Sequence, residues 1–528
     1  MRTCNSWING RLTLFSDALF GRIPLAIEPL TLVCYVLMAI LHVMCGISLD
    51  DCAFFLPCVE VIVQMSSIRS GSTSRSSRLL PRDPRTVLSC LKLSPDVLTF
   101  VSCPRCFALY PSDGEAPDVC SFKETITSKI CGEPLIRFKT VGNTTTRVIA
   151  REYSHQILKT WLGKLLCRPG IEQLLDRDAF SEGLDHPYVD IFSGDVLRQF
   201  SDSDGSTFLP SRPSEGRYVF GLSVDGFNPF LNKQAGKKAS STAIYMVLLN
   251  LPPSARYKVE NMYLAGIIPG PREPSLTQIN HLLRPLVDEL LELWDQGVWY
   301  TSTPSCASGK LVKAALVPLI CDLKAARQVM GHGSHSAKKF CSICNLTWKQ
   351  RNDISKESRV PVSADHFRKC ALGWKGARSQ SERDKLFKEH GIRWSALLDL
   401  PYWDPPRYTV IDSMHTVLLG HLHRHCSIIW GMNATRVDGR DGKRKQPGRT
   451  SKRPGLQAII SAAWVIRSGP AVEVESLRTN LLQEFCVENG LLSRSAAMNF
   501  DAQEIVNLVL EYVSHYSLPR HCLLLTMT

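Results

Sequence analysis

Three aspartates in this chain stand where apolar runs give out. Tyr218, Phe220, Leu222 and Val224 alternate with smaller residues, which is the period of a strand, and that run ends on Asp225 and Gly226. Leu311 to Ile320 is a second apolar run and stops at Cys321-Asp322, and Arg407 to Asp412 is a third. A carboxylate at the end of a strand is held rigidly and faces water. Two of them side by side repel one another unless a divalent cation bridges them, and two metal ions about 3.5–4 Å apart activate water and stabilise a leaving phosphate oxygen. Each aspartate also has an ordinary reading when taken singly, Asp225-Gly226 as a hairpin turn and Asp322 as a helix N-cap. Asp225, Asp322 and Asp412 are the candidate catalytic residues, with Mg2+ (or Mn2+) as the cofactor they would take.

Cysteine supplies the second set. Cys103-Pro-Arg-Cys106 follows a strand-like run, Val97 to Val101, and Cys120 and Cys131 come later, the latter followed by Gly132. Two thiolates two residues apart can share one Zn2+ ion, because the tight turn between them points both sulfurs inward, and Cys120 and Cys131 can supply the other pair. The alternative is four ordinary buried thiols. A second C-x2-C, Cys341-Ser-Ile-Cys344, is half of another zinc site, with His332, His335, His366, Cys370 and His415 as candidate completions. His366 and His415 are carried with Cys341 and Cys344 as its ligands. A solvated or hydrogen-bonded side chain is the ordinary reading of each histidine.

The elements that must position the carboxylates follow in order. Ala243 to Leu251 and Met262 to Ile268 are short, rich in strand formers and bounded by Pro or Gly, so with the strand before Asp225 they predict an antiparallel meander. Leu276 to Val298 carries Leu282, Leu283, Leu286, Leu290, Leu293 and Trp294 on one helical face. Three strands, a helix and a strand ending in a carboxylate is the order of ribonuclease-H-like nuclease folds. If the first and fourth strands are parallel neighbours, about 4.8 Å apart, Asp225 and Asp322 flank one point in space. Residues 365 to 398 read as charged helix, and 151 to 176 as helix broken at Pro169-Gly170.

The chain has 528 residues, 44% of them hydrophobic and 21% charged, proportions of a folded protein whose length suggests about two to four domains. With 62 Lys and Arg against 49 Asp and Glu the formal net charge is +13, which favours an anionic partner, nucleic acid or a membrane surface. The 19 cysteines are scattered and no secretory signal precedes them, so a reducing compartment and metal sites are expected rather than a disulfide framework. Leu30 to Ile47 has no charge and is nearly long enough to span a bilayer. Its stripe of Leu30, Val33, Leu37, Leu41 and Met44, followed by Ser48 and Asp51 ahead of a second apolar run, reads instead as a capped helical hairpin. A membrane protein is kept as the remote alternative. Residues 66 to 85 are rich in Ser and Arg, and 436 to 453 hold eight Lys and Arg among Gly and Pro; both read as linkers.

Several stretches together resemble the transposases of CACTA-type (En/Spm) DNA transposons in their basidiomycete form. They are FVSCPRCFALYP, LCRPGIEQLLD, LSVDGFNPF, LNLPP, IIPGPREP, FCSIC and LPYWDPPRYTVIDSMH, in this order over roughly residues 85 to 432. The resemblance implies a mixed α/β (α+β) chain with a ribonuclease-H-like transposase core, a zinc-binding N-terminal module and helical additions. It implies a DDE/D metal site, DNA strand cleavage and joining at transposon ends, and a nuclear location. Asp225 matches the first acid, Asp322 the second, Cys341 and Cys344 the family's C-x2-C, and Met414-His415 its Met-His motif. The family's third acid generally lies downstream of that motif; Asp412 takes its place by position, with Glu504 as a remote alternative. The expected domains are a helical hairpin at 1–65, a linker at 66–87, a zinc-ribbon-like and helical subdomain at 88–180, and the core at 205–432. A basic linker at 433–454 and a helical pair at 455–528, faintly similar to a SAP-type DNA-binding hairpin, complete the chain. Double-stranded DNA is the expected partner, a homo-oligomer is allowed, and neither a small-molecule substrate nor stable membrane association is expected. The alternative function is a catalytically degenerate DNA-binding protein derived from a transposase.

Overall fold

A computed structural model of the chain describes residues 5–8, 11–14, 27, 29–69, 80–81, 83–112, 116–142, 144–178, 180, 190–228, 241–430, 432, 474, 477–488, 491–492 and 501–515. Of the Ser/Arg-rich run expected as a linker at 66–85, residues 66–69 end the helix Leu49–Arg69, 84–85 begin the helix Pro84–Cys90, and 70–79 and 82 lie outside the described residues, as does the basic run at 436–453. The chain divides into two units, residues 1–432 and 433–528.

The strands of the first unit are β1 (Asn5–Ile8), β2 (Arg11–Leu14), β3 (Val97–Ser102), β4 (Leu109–Pro111), β5 (Ile136–Val141), β6 (Thr144–Ile149), β7 (Glu152–Gln156), β8 (Glu215–Phe227), β9 (Ser241–Leu248), β10 (Met262–Ile268), β11 (Val298–Tyr300), β12 (Lys310–Cys321) and β13 (Thr409–Ile411). Apart from the separate hairpin of β5 and β6, they form one mixed sheet in the order β1-β2-β11-β12-β8-β9-β10-β7-β3-β4, with β13 paired to β12. The helices that matter below are α1 (Pro29–Ala39), α2 (Leu49–Arg69), α3 (Leu158–Leu166), α4 (Ile279–Asp295), α5 (Leu323–Met330), α6 (Ala364–Gly376), α7 (Gln380–His390), α8 (Thr479–Glu488) and α9 (Ala502–His515).

The centre of the sheet is the parallel pair β8 and β12, flanked by the antiparallel β9 and β10. Tyr218, Phe220, Leu222 and Val224 are buried, and so are Val219 and Gly221 between them. Burial of both faces is what a parallel pair inside a covered sheet requires, and it replaces the one-sided alternation that the sequence suggests. One of those faces meets α4, whose Leu282, Leu283, Leu286, Leu290 and Leu293 are all buried. Each such side chain contributes about 1.5–3 kcal/mol relative to exposure. Trp294 continues the stripe into an aromatic cluster, stacked on Phe208 at 5.5 Å and tilted against Tyr402 at 4.1 Å.

Residues 152–156, expected as helix, are instead β7, because Tyr153 and His155 alternate with exposed residues and pair with β3. The helix begins only at Leu158, and its N-terminus has no cap from its own segment. Glu289 of α4 supplies one from across the core. Its Oε2 accepts from the backbone N–H of Leu158 at 2.9 Å and lies 2.9 Å from His155 Nε2, and its Oε1 accepts from the N–H of Lys159 at 3.3 Å. A carboxylate at a helix N-terminus meets both unsatisfied donors and the positive end of the dipole.

At the N-terminal side, α1 runs into a π-helical turn at Ile40–Met44, the chain reverses at Gly46 with φ +71°, and Ser48 and Asp51 cap α2. Met38, Cys52, Leu56 and Val87 form the small core there. Among the described residues, no helix is long and apolar enough to cross a membrane. The second unit has its own core, in which Leu482, Phe485 and Cys486 of α8 meet Ile505, Val506 and Val509 of α9.

Replacing Glu289 with Ala should destabilise the first unit by about 3 kcal/mol, since buried donors are left without their acceptor. Glu289→Gln, which keeps one oxygen acceptor, should cost less. Urea unfolding of the three proteins measures the difference.

Candidate functional site

The alignment of Asp225 with Asp322 depends on one irregularity. Leu316 of β12 is level with Phe220 of β8, but Leu319 is level with Leu222, so β12 takes three steps while β8 takes two. The extra residue is a bulge, and it falls at Val317-Pro318, where the proline has no N–H to give to a ladder. Its freed backbone groups are satisfied from the segment just before Asp412. The N–H of Leu316 donates to Tyr402 Oη at 3.0 Å, and Trp403 Nε1–H donates to the carbonyl of Val317 at 3.2 Å. Opposite, a side chain at Gly221 would meet the Pro318 ring at 3.4 Å.

Beyond the bulge the register carries Cys321 level with Val224. The N–H of Val224 donates to Cys321 Sγ at 3.2 Å, and Ser223 Oγ donates to the carbonyl of Ile320 at 2.8 Å. On the other side of β12, Cys321 is level with Ile411 of β13. Asp225, Asp322 and Asp412 therefore sit at one height at the ends of three adjacent strands, Asp322 and Asp412 just beyond β12 and β13. A side chain faces the opposite way one residue later, so without the extra residue Asp225 and Asp322 would not share a face.

Each carboxylate is held differently. Asp225 is exposed at the end of β8. Asp322 is half-buried and caps α5, accepting from the N–H of Ala325 at 2.7 Å. Both its ordinary reading as an N-cap and its place in the carboxylate row are thus present in one residue. Asp412 accepts from the N–H of Met414 at 2.9 Å and of His415 at 3.3 Å, and its Oδ2 lies 2.6 Å from His415 Nδ1. The His415 hydrogen bond first, then the two backbone donors, holds the Asp412 carboxyl below the usual range. His415 is raised in turn by that hydrogen bond and by the negative field of Asp412, Asp322 and Asp225. Cys321, beneath the row, is pushed up to about 12 by burial and by the same three aspartates. Among the described residues the three carboxylates do not bring one oxygen each to within 4.8 Å of the others.

Cys103, Cys106, Cys120 and Cys131 do form such a group, with ligand atoms all within 4.8 Å of one another. Sγ of Cys103 lies 3.8 Å from that of Cys131, and Sγ of Cys106 lies 3.5 Å from that of Cys120. Each half has a left-handed residue directly after a cysteine. Phe107, just after Cys106, has φ +64°, and Gly132, just after Cys131, has φ +67°. The N–H groups of Arg105 and Cys106 each donate to Cys103 Sγ at 3.4 Å. Hydrogen bonding from the Cys106 thiol, helped by these N–H groups, lowers Cys103 against its burial. Four sulfurs held this close, three of them buried, can hold a structural metal such as zinc. The group is anchored to the core, since Phe122 packs edge-on against His281 of α4 at 4.6 Å. Burial lowers that histidine to about 4.

The second C-x2-C keeps its sulfurs close, with Cys344 Sγ 3.3 Å from Cys341 Sγ. His366 lines the same cavity, as do His332 and His390. His415 belongs to the carboxylate row instead, bound to Asp412. His335 is exposed, and Cys370 lies 3.6 Å from His366 Nε2. Sequence reasoning missed the bulge and its braces, Tyr402 and Trp403; the only trace of it was a proline inside an otherwise apolar strand.

Residues 206–368 match the transposase family tnp2. The matched segment includes β8 to β12, Asp225, Asp322, Cys341, Cys344 and His366, and stops before Asp412. It supports a transposase-family protein. No curated protein matches the chain.

Within and around the tnp2-matched segment, two measurements test this geometry. Trp403→Phe removes the donor to Val317 and should lower stability by about 1–3 kcal/mol, read by chemical denaturation. His281→Phe removes a buried base that folds neutral with its pKa lowered to about 4 from 6.5. The unfolded chain binds that proton first, so the wild type loses stability as pH falls from about 6.5 toward 4, and the variant should lose less over the same window in parallel melting curves.

Proposed function

We propose that this chain is a transposase-derived protein of the CACTA (En/Spm) type, acting on DNA by metal-dependent phosphoryl transfer at Asp225, Asp322 and Asp412. The observation that carries this reading is the row of three carboxylates on adjacent strands, two of them inside the segment that matches the transposase family tnp2. The strand order β10-β9-β8-β12-β13, antiparallel to β8 on one side and parallel on the other, supports a ribonuclease-H-like reading of the core.

The donors are all carboxylate oxygens, the chemistry that hard divalent cations such as Mg2+ or Mn2+ prefer. Bound there, such ions would lower the pKa of an attacking water or 3′-hydroxyl and neutralise charge on the departing 3′-oxygen. The protein's own part is positioning. Asp225 reaches solvent from a strand whose body is buried, so its carboxylate is open to an ion from solution. The α5 N-terminus aims Asp322, and His415 aims Asp412 while compensating negative charge in the row. DNA as the partner and a nuclear location follow from this reading, and the net charge of +13 supports an anionic partner.

A second reading is a DNA-binding module that no longer cuts. It draws support from the carboxylates' separate engagements, Asp322 on α5 and Asp412 on His415, and from their lack of a tight group.

Mg2+-dependent nicking or strand transfer on terminal-repeat DNA separates the two. Under the first reading Asp225→Ala should lower the rate on the order of a thousandfold, because several kcal/mol of charge stabilisation goes with the ligand, while DNA binding persists. Activity indifferent to that substitution would remove the metal-site reading. Binding without activity in the wild type would establish the second.

A further inference from the structure

Between α5 and α6 the chain runs from Gly331 to Ser363 with one short 3-10 turn, Trp348–Gln350, as its sole helix or strand. A compact domain rarely tolerates so long an irregular stretch unless something else ties it down. Few apolar residues do so here: within it, Cys344 and Leu346 are the buried hydrophobic ones. The stretch is nonetheless folded back on itself. Asn345 N–H donates to the carbonyl of Val360 at 2.9 Å and Val362 N–H to that of Ile343 at 3.0 Å, which sets Cys344 beside the residues leading into α6. Gly333 N–H donates to the carbonyl of Gly391 at 2.7 Å, which brings the end of α7 to the same place.

These segments meet around a cavity of about 270 Å³ lined by Cys341, Cys344, His366 and His390. The cysteine half is built like the first half of the buried four-cysteine group. Cys344 N–H donates to Cys341 Sγ at 3.4 Å, as Cys106 N–H does to Cys103 Sγ, also at 3.4 Å. The other half is imidazole. His366 in the first turn of α6 and His390 at the last residue of α7 have rings 6.3 Å apart, and with Cys370 their ligand atoms lie within 4.8 Å of one another.

We propose that Cys341, Cys344, His366 and His390 bind one structural Zn2+ ion that closes this irregular segment onto α6 and α7. Two thiolates and two neutral imidazoles make the tetrahedral set that structural zinc takes, and the two thiol protons leave to solvent on binding. Cys370 lies outside the cavity lining and serves as a neighbour of His366. This site is separate from the carboxylate row and does not depend on what the row does.

The test is metal content of the full chain after dialysis against a weak chelator. The wild type should hold two zinc ions, one at each site. Cys344→Ser and His390→Ala should each hold one, and Cys370→Ala should keep two. A wild-type ion content that Cys344→Ser leaves unchanged overturns the proposal, as does loss of an ion in Cys370→Ala with retention in Cys344→Ser, which would assign the His366, Cys370 and His390 trio instead. Cobalt substitution of the wild type gives a readout that needs no variant. Thiolate-to-cobalt absorption corresponding to six sulfurs supports the assignment, and absorption corresponding to four overturns it.

Discussion

The chemistry of the core hangs on how β12 is read against β8. Parallel strands place side chains of equal height on the same face, so a slip of one residue would turn Asp322 away from Asp225. The bulge at Val317-Pro318 makes that adjustment, and its exposed backbone groups are taken up by Tyr402 and Trp403. Those two residues open the short segment that becomes β13 and delivers Asp412. The third carboxylate and the register of the first two are thus tied by the same few residues, and a change in either is felt by both.

The far ends of the same strands are clamped by charge. Lys310, at the start of β12, is buried against Glu172 at 3.2 Å and also against Asp176, which in turn takes a hydrogen bond from Tyr218 of β8. Arg217 of β8 is buried against Asp202 at 2.9 Å and Glu215 at 2.7 Å. Ion pairs of this kind add little net stability, because desolvation offsets the attraction, yet they are costly to break. Their effect is to penalise any register in which Lys310 or Arg217 loses its partners. With ions at one end and the bulge at the other, β8 and β12 have one acceptable alignment.

Much of this was legible in residue order. The meander at 218–268, the apolar face of α4 and the strand-ending aspartates each follow from local periodicity, which is why their positions agree closely with the structure. The cysteine group was legible at Cys103 and Cys106, whose C-x2-C spacing marks half a site, whereas Cys120 and Cys131, ten residues apart, are brought to it by the fold. What escaped were features that no local pattern encodes. β7 read as helix because its five residues lie directly against a helix, and only pairing with β3 and the alternate burial of Tyr153 and His155 make it a strand. β11 is three residues long, and its place in the sheet is settled by partners far away in sequence. His390 ends a charged helix with nothing beside it in sequence to mark it, and its neighbours are brought by tertiary folding. His415 was grouped with cysteines from the sequence, whereas a carboxylate three residues earlier on the same turn lies nearer.

The sheet order also has a bearing on how the chain is made. The strands at both edges come early in the sequence, β1 and β2 on one side and β3, β4 and β7 on the other, while the strands they join come later. The ribosome adds about 5–20 residues per second, so β7 waits roughly 5–20 s before β10 is complete, and β2 waits longer still for β11. During that interval the edge strands present unpaired N–H and C=O groups, the condition under which strands pair wrongly. The four-cysteine group is the exception. All of its sulfurs have been synthesised by residue 131, so a metal ion can give β3 and β4 a shape of their own before the core that they dock onto exists.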